Sequence, residues 1–295
     1  MIDLESRALF DSAYRNLPPA VSDLVFTNLY SWQDIYPYRL SALGKLLLVH
    51  YRCGDELIFL PPLLLEGKIS EKSFADSFSF AAECLAGFCR KEGLKAVFRF
   101  FPELYLKHIN TGMFNVEPER DTYDYVYKRE NLAGLPGQKY SAKRNLIKQF
   151  GGKYESKFEL LADHNRHLLY GLLERDESKF DLKVVDRMLK NLEALSLSGG
   201  LITSGGKAVA GTIGTVVNNF LYKKGCYDIA VVHFEKALLE YKGAFQAINN
   251  YFSSSLNEKV EYINREEDLG LEGLRRAKLS YNPDKLIEKS KLTLK

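Results

Sequence analysis

Apolar positions recur along the chain with two different periods, and the change from one to the other marks out its elements. Residues 3–16 carry a helical pattern and lead into an aromatic-rich stretch around Trp32. A hairpin pattern follows, with apolar runs at 45–51 and 56–60 about a turn at 52–55. Helical periodicity then spans 71–93, and Gly93 is placed to stop it, since glycine takes the left-handed conformation that ends a helix at no steric cost. The strand-like run 95–101 completes this half.

Residues 131–138 interrupt the patterning with two glycines and a proline, the composition of a boundary. Beyond them the same order returns. Helical patterns at 162–178 and 182–195 precede strand patterns that begin at Gly200 and cover 208–217 and 220–224. Gly205-Gly206-Lys207 and Asn218-Asn219 read as the hairpin turns between them. A long helix is expected around 234–256 and a strand at 259–263. Leu238, Tyr241, Phe245, Ile248 and Phe252 form an apolar stripe of helical period. Periodicity favours the earlier helix start, whereas Gly243 favours a start beside it, and the pattern leaves the two open. Helix, helix, antiparallel meander, helix, strand resembles the order of a GNAT acyltransferase lobe, and it is met twice. The expected fold is α/β (α+β): a tandem of two GNAT-like lobes, 1–135 and 136–295, each a mixed, largely antiparallel sheet flanked by helices, with the working site in the second.

Length agrees, because 295 residues suit two cores of about 150 residues each. The longest apolar run, 57–65, is interrupted by Pro61 and Pro62 and falls well short of the ~20 residues that cross a membrane. The N-terminus lacks a signal-peptide pattern. A cytoplasmic protein is expected, with any membrane contact peripheral. Cys53, Cys84, Cys89 and Cys226 contain no CxxC spacing, and buried structural thiols are the plain expectation.

Charge is divided unevenly. Residues 1–135 hold 15 Lys and Arg against 18 Asp and Glu, and residues 136–295 hold 26 against 20. The second half is therefore the better host for an anion. Its most basic window, 139–153, has five cations and no acid. On a helix, Lys139 and Lys143, and Arg144 and Lys148, are i,i+4 pairs. They form either a solvated face or a strip for the phosphates of a nucleotide tail or tRNA. Lys236, Lys242 and Gly243 lie between the meander and the next helix, whose N-terminus would offer N–H groups to an anion. Asn264, Arg265, Glu266, Glu267 and Asp268 follow a core strand, where charges often line a cleft. A carboxylate there would deprotonate an amine or hold a cationic side chain; a solvated turn is the alternative. His164 and His167 are spaced i,i+3 without a third ligand, so no metal is expected. No GxSxG, HExxH, P-loop or Rossmann glycine motif occurs, which disfavours Ser-His-Asp, zinc and ATP hydrolysis.

Residues 22–32, 143–150, 233–237, 241–249, 262–278 and 281–283 resemble the family of the C-terminal domain of phosphatidylglycerol lysyltransferase, and 262–278 carries the most specific match. That resemblance implies two GNAT lobes, as in Fem-type aminoacyltransferases, and transfer of an amino acid from charged tRNA, in characterised members to a lipid headgroup. The lysyltransferases that define the family have a large membrane domain, and no counterpart of it is expected here. By charge and position, Lys236, Tyr241, Lys242 and Gly243 are expected to face the donor's phosphates or oxyanion, and Lys143 and Arg144 a longer polyanionic tail. Asn264 and Arg265 are expected to bind the acceptor, Glu267 and Asp268 to hold or activate it, and Tyr241 or Tyr281 to protonate a leaving group. No tightly bound cofactor is expected. The donor is aminoacyl-tRNA or acyl-CoA, although Glu240 would repel a pyrophosphate, and a non-catalytic ligand-binding protein is the remaining reading.

Overall fold

The computed structural model describes residues 1–70, 72–173 and 179–295. The strands of the first half are β1 (Arg39–Leu43), β2 (Leu46–Cys53), β3 (Glu56–Phe59), β4 (Leu63–Leu64), β5 (Lys95–Pro102), β6 (Phe114–Pro118) and β7 (Asp124–Lys128). Those of the second are β8 (Lys157–Leu160), β9 (Leu197–Ser204), β10 (Lys207–Tyr222), β11 (Gly225–Ala237), β12 (Tyr262–Asn264), β13 (Lys285–Ile287) and β14 (Lys289–Leu294). Among the described residues they form two sheets, in the orders β1-β2-β3-β5-β14-β6, with β4 on β2, and β13-β7-β12-β11-β10-β9-β8. Both are mixed: β3 and β5 run parallel, as do β11 and β12, while the other pairs are antiparallel.

Much of the first half forms as its pattern requires. The β2–β3 turn places Gly54 at φ +60°, which a side chain would resist. Helix Lys72–Lys91 buries Phe74, Phe78, Ala81, Ala82 and Cys89, and Gly93 follows it at φ +67°. Residue 71, expected in this helix, lies outside the described residues. So do 174–178 of the expected helix 162–178, whose described part is a 3-10 turn, Arg166–Leu169, and a short helix, Tyr170–Leu173.

One expectation in the meander is corrected and one open point is decided. β10 does not turn at Asn218-Asn219; it continues to Tyr222, with a bulge between Val217 and Phe220. β11 pairs with it on both sides of the bulge, and Asn219 takes up the extra residue at φ +59°. Of the two starts left open for the next helix, the one beside Gly243 holds: it runs Ala244–Ser255, because 234–237 stay in β11 against β10. Gly243 caps it at φ +95°.

The sheets exchange strands across residues 131–138. β7 pairs with β12 and β13 in the second sheet, and β14 lies between β5 and β6 in the first. The largest core is shared accordingly: Leu47, Val49, Tyr51 and Ile58 of one sheet pack in a single cluster with Val126, Ile229, Val231 and Tyr262 of the other. Each half thus supplies surface that the other must cover. Of the cysteines only Cys89 is buried; Cys53, Cys84 and Cys226 are exposed, contrary to the plain expectation. Among the described residues no helix is long and apolar enough to cross a membrane.

Candidate functional site

β11 and β12 pair over only three residues, Ile229–Val231 against Tyr262–Asn264. Past that point β11 continues along β10 to Ala237, while the chain beyond Asn264 turns away through Glu266 at φ +52°. His233 is the extra residue of a bulge, since Ile213 faces Phe234 and Gly214 faces Val232. The strands therefore part, and side chains bridge the gap on both faces. Successive residues in a strand point to opposite sides, which assigns each bridge its face.

One face looks towards the first half. His233 Nδ1 lies 2.8 Å from Glu266 Oε1 and Nε2 lies 3.1 Å from Thr215 Oγ1. Asn28 Nδ2 donates to the same Glu266 oxygen at 2.7 Å. Beside them, Asp124 accepts from the Ser22 N–H at 2.8 Å, from Ser22 Oγ at 2.7 Å and from Asn264 Nδ2 at 2.9 Å. The fully buried Lys289 ammonium bonds Asp124 at 2.7 Å and also Asp23. Burial works against that ammonium's charge, but Asp124 and Asp23 outweigh it and raise its pKa above the ordinary lysine value. A second buried ammonium, Lys278, donates to the backbone carbonyls of Arg265, Glu266 (3.1 Å) and Glu267. Burial first, and Arg265 next, pull it down to about 8.

Four carboxyl groups (Asp23, Asp124, Glu266 and Glu267) thus share this junction with two ammonium groups. Burial is the main force on Asp23, which is pushed up to about 6. Glu267 is pushed up to about 8, again chiefly by burial; Lys289 opposes the rise, and Glu266, Asp23 and Asp124 add to it. Among the described residues the Glu267 carboxyl has no hydrogen-bond or ion-pair partner. A carboxyl near neutrality and free to exchange its proton has the properties of a general base. Its neighbour Asp268 is the opposite case. Arg275 binds both of its oxygens at 2.9 Å, Arg120 adds a bond at 3.1 Å, the Gly270 N–H adds another at 3.0 Å, and the Tyr125 hydroxyl donates as well. Burial would raise Asp268, but these donors hold it well below the usual carboxylate range. It locks a loop and has no capacity left for an acceptor.

The other face looks towards helix Ala244–Ser255. Arg265 bonds Glu235 at 2.6 Å, and Asn249 Nδ2 donates to the second Glu235 oxygen at 3.1 Å. The Tyr281 ring has Arg265 5.0 Å and Lys143 4.1 Å from its centroid. Lys143 also donates to Ser280 Oγ at 2.6 Å, and burial, then Arg265, lowers its pKa. Arg265 Nη1 and Asn249 Oδ1 are buried without a partner. An orphan donor and an orphan acceptor flanking one carboxylate are costly unless a ligand or water joins them.

The expected donor residues divide. Lys143 reaches this face with Arg265 and Tyr281. Arg144 turns back onto the carbonyls of Leu135 and Gly137 and ties down the loop before its own helix, Ser141–Lys153. Lys236 lies on β11 opposite Gly211, Lys242 is exposed, and the Tyr241 ring packs 4.8 Å from that of Tyr154. Gly243 has a packing reason as well: a Cβ there would meet the Leu146 carbonyl oxygen at 2.4 Å, so the glycine lets two helices approach. Asn264 is fully buried on Asp124 and lies on the face opposite Arg265. Asp23, Asp124, His233, Glu235, Lys278 and Lys289 were not singled out from sequence. Asp124 and Lys289 are 165 residues apart, and nothing in the pattern links them. Asp23 lies in the 22–32 passage, His233 and Glu235 in 233–237 and Lys278 at the end of 262–278, so the family resemblance is the one signal that reaches them, and Asp124 and Lys289 lie in none of these passages.

Among curated proteins none matches the chain in sequence. Solved structures do match. A conserved protein of unknown function from Bacteroides thetaiotaomicron VPI-5482 superposes with a TM-score of 0.83 at 29% identity, covering 100% of this chain and 98% of that one. L-PGS from Bacillus licheniformis superposes at 0.66 with 14% identity, covering 97% and 91%. A tandem GNAT protein from the clavulanic acid biosynthesis pathway superposes at 0.51 with 8% identity, covering 98% and 94%. The fold is accordingly a GNAT-like tandem, each sheet mixed and flanked by helices. The family model of the phosphatidylglycerol lysyltransferase C-terminal domain matches residues 14–292, and the chain belongs to that acyltransferase-like family.

Proposed function

We propose that this chain transfers an aminoacyl group from charged tRNA to an amine, with Glu267 as the proton acceptor. The observation that carries the reading is the excess of carboxyl groups at the strand gap, together with the one unpartnered carboxyl among them. A surplus of buried negative charge stabilises a substrate ammonium where it would repel an anion. As pH rises towards 8 Glu267 becomes ionised, and the bound ammonium releases one proton to solvent. The freed nitrogen attacks the ester carbon, the C–N bond forms, and the C–O bond to the ribose breaks. Ionised Glu267 takes the second proton that the nitrogen sheds as the C–N bond forms and passes it to the departing ribose oxygen, so the group ends as it began. Arg265 Nη1 and Lys143 on the opposite face supply positive charge for the donor's phosphates. A lipid headgroup bearing an amine is one acceptor of this class, reached by a peripheral approach from the cytoplasmic side.

The test incubates the purified protein with tRNA charged with radiolabelled amino acids and a panel of amines, and follows the label into product. Expected is amine-dependent transfer that Glu267→Gln lowers by about 100-fold or more, with filter binding of tRNA that weakens with salt and with Lys143→Ala. Full activity of Glu267→Gln would remove that residue's role. No tRNA binding at low salt, with acyl-CoA accepted instead, would replace the donor.

A further inference from the structure

On the side of the strand gap that looks towards helix Ala244–Ser255, one hydrogen-bond acceptor is fixed in place and left over. Glu235 Oε1 accepts from Arg265 Nη2 at 2.6 Å, and Oε2 accepts from Asn249 Nδ2 at 3.1 Å. An ionised carboxylate only accepts, so Asn249 must turn its amide nitrogen to Glu235 and its oxygen away. That oxygen is buried without a partner, and so is Arg265 Nη1. Asn249 is 2% exposed, among the buried Ala247, Ile248 and Phe252 of its own helix. Glu235 and Arg265 keep 10% and 12% of their side chains exposed, which sets the group one layer beneath the surface. A buried amide oxygen held in a fixed direction is costly alone and selective once a donor reaches it.

We infer that Asn249 Oδ1 accepts a hydrogen bond from the 2′-hydroxyl of the donor's terminal ribose, which makes Asn249 the residue that tells ribose from deoxyribose. The inference rests on the donor assignment above, in which Arg265 Nη1 and Lys143 meet phosphate. Chemistry narrows what is left for Asn249. A second phosphate oxygen only accepts, and it would set a negative charge against the unpaired amide oxygen. An ammonium donates, but Arg265 and Lys143, 5.0 Å and 4.1 Å from the Tyr281 ring centroid, would repel it. The partner is therefore a neutral O–H or N–H tethered to a phosphate. Ribose hydroxyls are such donors and lie only a few bonds from the phosphates, and the 2′-hydroxyl is the group by which a protein separates RNA from DNA. In a ribose that carries its ester on the 3′-oxygen, this hydroxyl stands free beside the reacting bond. CoA also joins a ribose hydroxyl to phosphate, so the test must separate the two sources.

Fluorescence anisotropy on the full chain, with a labelled RNA strand ending in adenosine, tests the inference. The same strand is made with 2′-deoxy or 2′-fluoro ribose at its last residue, and calorimetric titration with CoA runs beside it. Expected is binding of the unmodified strand, weakened about tenfold by either substitution, since fluorine cannot donate a hydrogen bond. Asn249→Leu is expected to bind all three strands alike, at the level that the wild type shows for the deoxy strand. Equal binding of the three strands by the wild type overturns the inference and leaves the donor assignment standing. A preference that Asn249→Leu retains overturns it as well. CoA bound where no strand binds overturns the donor assignment and the inference together. The comparison of strands on the wild type decides the matter by itself if Asn249→Leu does not fold.

Discussion

Replacing Glu267 by Gln tests whether its carboxyl is held near neutrality by its surroundings. A rise from 4.5 to about 8 means that between these values the folded protein keeps a proton that the unfolded chain has lost. Stability then falls as pH rises through this window, because the unfolded state binds fewer protons there. At about 1.4 kcal/mol per pH unit the ceiling is near 5 kcal/mol. Glu267 retains some contact with water, and screening reduces the expected effect to about 2–4 kcal/mol. Asp23, pushed up to about 6, contributes in the same direction below pH 6. Lys278, pulled down to about 8, acts oppositely above pH 8, where the unfolded state keeps the proton longer. Wild-type stability should therefore decline from pH 5 to a minimum near 8, and Glu267→Gln should lose the part of the decline between 6 and 8. Urea melts followed by the fluorescence of Trp32, the single tryptophan, measure this directly, and Gln should be the more stable form at pH 8. Wild-type stability that is flat or rising from pH 5 to 8, or an unchanged slope in the variant, would refute the assignment.

Other perturbations probe what holds the site. Lys289→Met strands Asp23 and Asp124 without their buried cation and should cost about 3–5 kcal/mol in urea denaturation; a loss below about 1 kcal/mol would show the cluster to be open to water. Gly243→Ala combines a left-handed backbone with a clash against the Leu146 carbonyl, and about 2–4 kcal/mol of destabilisation is expected. Residues 1–135 and 136–295 produced separately should each fail to give cooperative thermal unfolding, since each sheet lacks a strand that the other fragment carries, β14 for the first and β7 for the second. Recovery of a folded complex on co-expression would fit the exchange, and two independent cooperative melts would contradict it.

The sequence by itself determined the local elements and the family. The β2–β3 hairpin, helix Lys72–Lys91 with its stop at Gly93, and the repeated order of elements follow from periodicity and turn chemistry, which act over a few residues. The passage at 262–278 was distinctive enough to place the chain with its relatives. Three things required the tertiary structure. The start of helix Ala244–Ser255 was set by β10, which keeps 234–237 in the sheet against the helical pattern. The exchange of β7 and β14 rests on pairings between distant segments that no local signal encodes. The third is the contrast between two adjacent acids that read alike in the sequence. Asp268 meets Arg120 and Arg275 and is locked as an anion, while Glu267 faces Asp23, Asp124 and Glu266 across the junction and is driven towards neutrality. The charge state of a carboxyl is decided by what surrounds it in space, and these neighbours come from strands and loops up to about 250 residues away.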